Sequence, residues 1–380
     1  LDQPFAAQLT PRRLPAAVSE PTRIPVPDPQ DASLSDPLSR AVPDPGAVAV
    51  SVVCAWYNRA EFLRDSIDSL LAQQGVEDFE VVVANDGSPD PRVREILDSW
   101  DDPRLRVIHR ENGGFVNAIR TAIDSSRGRY VAIMGAGDVC RPDRLARQKA
   151  HLDANPDLIM TGCWYEDRQQ DASGVWQVAT THRNPAPAGP RDLHVRNPYT
   201  QGETMFRREA YDAVGGYRTF FKNSQDADLW LRLIETGRLG QLEEVLYERR
   251  IFADGITGNV DKMLRQSFYS SMAIEMSKLR LAGRPDLVEL FGDDARWMRP
   301  RTTRSARRFL IAGLVHRHQG NLDRSALMME LSAREHPLYA VIVRALRLAL
   351  SAPPATGLPA LAMRAARRLS PAVGRFTVSR

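Results

Sequence analysis

Residues 130–148, Y-V-A-I-M-G-A-G-D-V-C-R-P-D-R-L-A-R-Q, decide the fold of this chain. The first five residues are apolar and predict a buried strand, which leads into a turn ending at Asp138 and then into a basic helix. In open α/β sheets, ligands bind outside the carboxyl ends of the strands. Asp138 is therefore a candidate for metal or phosphate chemistry.

Strand and helix patterns alternate on the N-terminal side of this stretch. Apolar runs predict strands at residues 48–54, 79–84, 105–109 and 130–134, and helices are expected after the first strand and at residues 90–100 and 116–125. Strands that alternate with helices at this spacing indicate right-handed crossovers and a mostly parallel sheet. The predicted fold class is α/β.

The pattern changes after residue 150. An apolar run at 158–163 precedes a polar segment, 167–191, that is interpreted as a loop, and a helix is expected at 226–236. From residue 260 onward the chain has a helical pattern, with two helices predicted on either side of Gly320-Asn321. Residues 1–46 contain ten prolines and are interpreted as a disordered or extended leader. The predicted domains are 47–258, an α/β domain, and 259–380, a helical, Arg-rich region.

Charge is distributed unevenly along the chain. The net charge is +4, but residues 301–380 contain 14 arginines and three acids, which leaves the remainder acidic. Three widely spaced cysteines form no C-x-x-C pair, and no run of apolar residues is long enough to span a membrane. These observations predict a cytoplasmic protein in a reducing compartment. Nucleic acid is not expected as a partner, because no aromatic residues are interleaved with the arginines.

Polar residues follow two of the predicted strands on the same side of the sheet. Tyr57 lies in A-W-Y-N-R after the first strand, and Asp86 lies in N-D-G-S-P-D after the second. An α/β crevice holds a nucleotide in this way, with a carboxylate on the base or ribose and a ring beside it. The alternative is that the Asp-Gly-Ser-Pro segment is only a turn. The absence of G-x-G-x-x-G and G-x-x-x-x-G-K-[ST] argues against dehydrogenases and P-loop enzymes.

Six blocks in order resemble the family 2 glycosyltransferases, inverting enzymes of GT-A fold. They are V-S-V-V-C-A-W-Y-N-R-A-E-F-L, V-V-V-A-N-D-G-S-P-D, E-N-G-G-F-V-N-A, residues 130–148, N-P-Y-T-Q-G-E-T-M-F-R-R-E-A-Y-D-A-V-G-G-Y-R and S-Q-D-A-D-L-W-L-R-L. The resemblance covers about residues 47–258. It implies transfer of a sugar from a nucleotide sugar, with UDP favoured, to a glycan, a lipid-linked acceptor or another acceptor.

The resemblance also implies roles for individual residues. The nucleotide would be held by Tyr57, Asp86, Asn112 and Gly114. Asp226, in the Q-D-A-D-L-W block, would be the general base that takes the proton of the acceptor hydroxyl. Its alternative role is to cap the helix that it begins. Three further residues, namely Asp228, Trp230 and Arg232, would shape the acceptor side, although Trp230 suits a core position equally well.

Stabilisation of the leaving diphosphate is harder to assign. Family members usually hold a divalent cation, Mg²⁺ or Mn²⁺, with an acidic D-x-D motif, but here Gly135 and Gly137 stand in that motif and only Asp138 follows. Phe252 stands where many relatives have a histidine ligand. Three accounts stay open: Asp138 holds a metal with help from the phosphates, Arg249 and Arg250 replace the metal, or the protein binds a nucleotide sugar without turning it over.

The arginine-rich tail suggests a surface role. Residues 337–350 and 358–369 are apolar with interspersed arginines, a composition that suits an anionic membrane surface. The alternative is a set of helices packed on the catalytic domain with their arginines in water. The rival to catalysis as a whole is a scaffold protein that has kept the fold and has a degenerate metal site.

Overall fold

The first half of the α/β unit is a parallel sheet with helical crossovers. The computed structural model describes residues 48–252, 260–299 and 301–351, so the predicted leader lies outside the described residues. The strands are β1 (Val50–Trp56), β2 (Phe79–Asp86), β3 (Leu105–Arg110) and β4 (Tyr130–Met134), and the helices are α1 (Leu63–Leu71), α2 (Pro91–Leu97) and α3 (Phe115–Asp124). The strands are parallel, as predicted, and their order in the sheet is β3-β2-β1-β4.

Strands β1, β2 and β4 are buried along their whole length. Alternate residues, such as Val52 and Val53, enter two different hydrophobic clusters on opposite faces of the sheet. Burial on both faces explains why these strands have continuous apolar runs in the sequence. Their carboxyl ends meet at one edge, which places Tyr57, Asp86 and the turn at residues 135–138 on the same side of the sheet.

The second half of the sheet is mixed. Its elements are β5 (Val139–Cys140), α4 (Arg144–Ala154), β6 (Leu158–Gln170), β7 (Trp176–His182), α5 (Pro190–Val195), β8 (Met205–Arg207), α6 (Arg208–Ala213), α7 (Gln225–Leu233) and β9 (Arg238–Arg250). β8 lies antiparallel between β4 and β6, while β9 runs parallel to β6 and antiparallel to β5. The prediction of a loop at 167–191 is wrong, because β6 continues to Gln170 and forms a hairpin with β7.

The C-terminal region is helical, as predicted. It comprises α8 (Val260–Leu281), α9 (Leu287–Phe291), a 3-10 helix (Gly292–Met298), α10 (Thr303–His318), α11 (Leu322–Glu335) and α12 (Pro337–Ser351). The predicted break is confirmed, since Gly320 has a φ of 78° and the Asn321 side chain caps α11 by accepting from the Arg324 amide. Residues 358–369 lie outside the described residues. None of the described helices is long and apolar enough to cross a bilayer.

Buried ion pairs join α7 to α8 and α9. Asp286, which caps α9, accepts from Arg218 at 2.8 Å and also from Arg280. Arg218 also binds Asp228 of α7, and Arg280 of α8 binds Glu235 at 2.7 Å. The carboxylates of Asp228 and Asp286 are almost completely buried. These pairs fix the helices behind the carboxyl-terminal edge of the sheet.

Candidate functional site

Asp86 organises the turn at residues 111–115. One carboxylate oxygen accepts from Arg110 Nη1 at 2.6 Å and from the Gly113 amide at 2.9 Å, and the other accepts from the Gly114 amide at 2.9 Å. The Asn112 side chain donates to the Asp86 carbonyl at 2.8 Å. The structure therefore brings together three of the predicted nucleotide-binding residues. It also gives Asp86 a structural task that the sequence did not reveal.

Tyr57 follows β1 and is exposed, with 47% of its surface accessible. The next two residues, Asn58 and Arg59, both have left-handed backbone, with φ of 56° and 58°. The Asn58 amide donates to Ser88 Oγ at 2.9 Å, and Trp56 Nε1 donates to the Asn58 carbonyl. Left-handed backbone at such residues costs about 1–3 kcal/mol each and persists where the surroundings hold it. These bonds direct Tyr57 outward and Arg59 across the edge of the sheet.

Both carboxylate oxygens of Asp138 are already hydrogen-bonded. One accepts from the Tyr247 hydroxyl at 2.5 Å and the other from the Arg250 amide at 2.8 Å. Burial raises the pKa of Asp138 to about 6, although these two bonds act in the opposite direction. A Cβ atom at Gly135 would lie 2.2 Å from the carboxylate of Asp138, so the close packing of this turn depends on glycine.

The predicted metal role of Asp138 concerns a turn that an aromatic ring covers. A Cβ atom at Gly137, where φ is 94°, would lie 2.7 Å from the ring of Phe252, which covers the turn. The described residues contain no group of three or more His, Cys, Asp or Glu side chains that could hold a metal ion. Mg²⁺ usually keeps several waters and is held by one or two carboxylates together with substrate phosphates. A metal at this turn would therefore depend on Asp138 and the donor phosphates, and the metal role of Asp138 stays a prediction.

An aromatic cleft lies over the turn at residues 135–138. Phe252 contacts Phe62 and Trp176, with ring centroids 4.8 Å and 5.9 Å away, and the guanidinium of Arg59 lies 4.0 Å above the Phe252 ring. The cavity has a volume of about 460 Å³ and is also lined by Glu61 and by Gln169, Gln170 and Ile251. The sequence did not indicate Phe62 or Trp176 as site residues. Trp176 lies in the segment interpreted as a loop.

Arg249 and Arg250 lie at the end of β9, and each already has a carboxylate partner. Arg249 donates Nε and Nη2 to the two oxygens of Asp167 at 2.7 Å and 2.9 Å. Burial lowers the pKa of Arg249, but the Asp167 bonds outweigh it and raise the pKa overall. Arg250 donates to Asp65 at 2.9 Å and lies 4.8 Å above the Trp176 ring, while its Nη1 is buried without a hydrogen-bond partner.

Asp226 lies in the first turn of α7 and is partly exposed. Its carboxylate accepts from Asn197 Nδ2 at 3.1 Å. Burial raises the pKa of Asp226, the amides of Asp226 and Ala227 oppose the shift, and the charge of Asp228 adds to it. Ser224 occupies the N-cap position but makes no capping hydrogen bond with its side chain, whereas the Asp226 carboxylate accepts from amides of the first turn, so its helix-start role stays open beside the role of base.

Asn197 and Gln201 support this turn from the N-P-Y-T-Q block. Gln225, the neighbour of Asp226, donates to Gln201 at 2.8 Å, and Gln201 donates to the Tyr217 hydroxyl at 2.7 Å. The sequence identified the block without assigning these two side chains. Their amide groups could have been suspected, because a segment without regular structure that carries Asn and Gln commonly supplies hydrogen bonds to a helix start.

The three residues predicted for the acceptor side are buried. Trp230 is 0% exposed and packs against Tyr199 and Phe206, as its core alternative requires. Arg232 donates to Asp228 at 2.8 Å and to the Gly216 carbonyl at 2.7 Å. Side chains without surface cannot touch an acceptor, so the prediction is corrected: these residues hold α7 in place behind Asp226.

Comparison with known proteins identifies the α/β unit. Residues 51–221 match the family model described as Glycosyl transferase family 2. Similar proteins include "Uncharacterized protein y4gI" of Sinorhizobium fredii, 32% identical over 53% of this chain, and chondroitin synthase of Pasteurella multocida, 26% identical over 58% of it. The chain spans about a fifth of these relatives, 22% of each.

The solved structures to which the chain is similar include S. aureus TarS 1–349 in complex with UDP-GlcNAc. It has 15% identity and a TM-score of 0.47, and the alignment covers 76% of this chain and 92% of TarS 1–349. This low similarity gives no information about the donor of this chain. The family match extends from β1 to the segment before α7 and includes the turns at Asp86 and Asp138. The expected α/β class is confirmed by the sheet and its crossovers, and residues 51–221 of this chain match glycosyltransferase family 2.

Proposed function

We propose that this protein is an inverting glycosyltransferase that uses a nucleotide sugar, with Asp226 as the general base. The observation that carries the proposal is a partly exposed carboxylate, held by Asn197, whose pKa burial raises. A raised pKa makes a carboxylate a stronger base, which suits removal of a proton from a hydroxyl.

The reaction at this site would be a direct displacement. The acceptor oxygen attacks the anomeric carbon from the face opposite the diphosphate, the acceptor proton moves to Asp226, and the bond to the diphosphate breaks. Asn197 donates to the ionised form of Asp226 and orients it toward the acceptor. Tyr57 offers an exposed ring for the nucleoside, and the turn ordered by Asp86 forms the adjacent wall.

Arginines are proposed to neutralise the charge that develops on the diphosphate. Arg59 and Arg250 flank the aromatic cleft over the turn at residues 135–138, here called the glycine turn. Arg249 precedes Arg250 on β9. A guanidinium is always charged and presents paired donors to phosphate oxygens. The buried Nη1 of Arg250 has no partner, which supports this account over a metal at Asp138. The cation is replaced by side chains that the sheet edge already holds in position.

The donor nucleotide is proposed to be UDP, on the resemblance to the family. The acceptor is proposed to be a glycan, a lipid-linked acceptor or another acceptor, also on the resemblance to the family. The catalytic unit would comprise residues 47–258, and residues 259–380 would form the helical region. Contact of α12 with an anionic membrane stays a prediction, which its apolar face and Arg344 and Arg347 support.

A substitution at Asp226 tests the function. Asp226→Asn keeps the shape and removes the base, so we expect turnover to fall by about 10²–10⁴-fold while nucleotide-sugar binding persists. The assay is a panel of nucleotide sugars with transfer or hydrolysis as the readout and thermal stabilisation as the measure of binding. The matched control is Asp212→Asn, an exposed aspartate on α6.

The same assay separates the alternatives. Binding without turnover of any donor by the wild type would favour the scaffold alternative. A turn that has glycines in place of the acids of the D-x-D motif is also compatible with a scaffold. Loss of activity with a chelator and recovery with Mn²⁺ would contradict the arginine account. Equal turnover by Asp226→Asn and wild type would remove Asp226 as the base.

A further inference from the structure

A second cleft lies between α5 and the helical region, away from the glycine turn. It has a volume of about 560 Å³ and is lined by residues of α5, α8, α10 and α12 and by Thr302. This volume is in the range of small-molecule sites. His194 and Val195 of α5 form one wall, and Tyr339 of α12 contributes a half-buried ring to another.

The cleft concentrates positive charge. Arg304, Arg307 and Arg308 enter it from α10, and Lys278 enters it from α8. The one carboxylate among its described lining residues, that of Glu275, is already paired with Lys278 at 2.7 Å. Arg304 donates to a backbone carbonyl, that of His194, at 2.9 Å, and no described carboxylate pairs with Arg308. Cations therefore outnumber carboxylates in this cleft.

The position of Arg304 adds to the unfavourable electrostatics of this cleft. Arg304 lies in the first turn of α10, whose N-cap is Thr302, and a cation is unfavourable at this positive end of the helix. Burial lowers the pKa of Arg304 and, secondarily, so does the charge of Arg308. The pKa of Arg308 is lowered in the same way by burial and by Arg307. A bound anion would relieve both the repulsion and the unfavourable dipole.

We propose that this cleft binds a phosphate group carried by a sugar. A phosphate monoester brings about −1.5 to −2 charges at pH 7, more than a single carboxylate, which suits a cluster of cations. Arginine forks present two parallel donors to phosphate oxygens. The ring of Tyr339 gives the sugar an apolar wall. A concave cleft favours a discrete phosphorylated sugar over the flat surface of a membrane, which has the same phosphate chemistry.

Calorimetric titration with glucose 1-phosphate tests the proposal. Arg308 is exposed on one side, so Arg308→Gln should fold, and we expect it to weaken binding by about tenfold or more because a charge-assisted bond is lost. Arg308→Lys should weaken binding less. Arg344→Gln, which removes the same charge from the exposed surface of α12, should bind as the wild type does.

Three further arms separate this cleft from the donor site and from a membrane surface. Glucose without phosphate should not bind, and Tyr57→Ala should retain binding, because Tyr57 belongs to the proposed donor site. Vesicles of phosphatidylglycerol and phosphatidylcholine in equal parts should not depend on Arg308. Equal binding by Arg308→Gln and wild type, loss of binding in Tyr57→Ala, or Arg308-dependent binding of vesicles alone would each overturn the proposal. Activity at Asp226 does not enter any of these readouts.

Discussion

At the scale of single residues, Glu203 is an unusual feature of the interior. Its side chain is 0% exposed, one oxygen accepts from the Thr200 amide at 2.8 Å, and the other has no hydrogen-bond partner. Burial raises the pKa of Glu203 well above its usual value, although the amides of Glu203 and Thr200 act in the opposite direction. An ionised carboxylate in this position would be costly, so the neutral acid is the form that the fold favours.

The unfolding free energy should therefore depend on the protonation of Glu203. Because the folded pKa is raised, the stabilisation is complete below the unfolded pKa of about 4.3 and is lost as the pH rises toward the folded pKa, at about 1.4 kcal/mol per pH unit. Glu203→Gln keeps the shape and cannot ionise. We expect its stability advantage over the wild type to grow with pH, measured by urea unfolding.

A matched control for this experiment is Glu243→Gln, because Glu243 is exposed on β9. Its unfolding free energy should follow the wild-type curve at every pH. Parallel curves for Glu203→Gln and the wild type would mean that Glu203 is ionised in the folded protein.

At the scale of elements, the turn between β4 and β5 depends on its glycines. Gly137 has a φ of 94°, and Phe252 from the end of β9 packs directly against it. We expect Gly137→Ala to lower the unfolding free energy by about 1–3 kcal/mol, because the new methyl group is strained in the left-handed region and meets the Phe252 ring. In a Phe252→Leu background the steric part of this loss should shrink and the backbone part should stay.

Gly189→Ala provides the control for Gly137→Ala. Gly189 has extended backbone, and a Cβ atom added there would have no neighbour within 4 Å, so its replacement should be nearly neutral. Urea unfolding of the four variants and the wild type gives the measurement. An equally small loss at Gly137 would show that the turn adapts without strain.

The sequence predicted strands correctly where both faces of the strand are buried. β1, β2 and β4 are continuous apolar runs, and the helix break at Gly320 follows a glycine that the backbone needs. β7 was missed because its residues are mostly polar and exposed, so they carry no strong periodic signal. β9 has no regular alternation of buried and exposed residues, and its charged end resembles a surface segment.

The contacts of the candidate site depend on pairs far apart in the sequence. The six blocks indicated Asp86, Asp138 and Asp226, but no local pattern indicates that Tyr247 binds Asp138 across 109 residues. The pairing of Arg249 with Asp167 depends on the register of β6 and β9. Such register is set by tertiary packing, which a single sequence does not display.

At the scale of the whole molecule, one ion network joins the α/β unit to the helices after it. We expect Asp286→Ala to lower the unfolding free energy by about 3 kcal/mol, because Arg218 and Arg280 would lose a buried partner. Asp286→Asn keeps the cap of α9 and should recover part of that loss. Asp293→Ala removes an exposed partner of Arg296 and should change stability by less than about 0.5 kcal/mol.

Urea unfolding followed by circular dichroism measures these differences. If Asp286→Ala and Asp293→Ala destabilise the protein equally, the network does not join the two regions. The same data test the predicted boundary at residue 258. Two separate transitions would indicate two units that unfold independently.

The hydrogen bonds of Asp138 determine when its turn can fold during synthesis of the chain. Both of its partners, Tyr247 and the Arg250 amide, belong to β9, which pairs with β5 across more than a hundred residues. Domains begin to fold from the N-terminus during synthesis. The parallel half can pair while the ribosome is still translating, whereas the glycine turn must wait until β9 has left the exit tunnel. A nascent chain that is stalled before residue 250 would therefore have most of its sheet but would lack the two hydrogen bonds that hold Asp138.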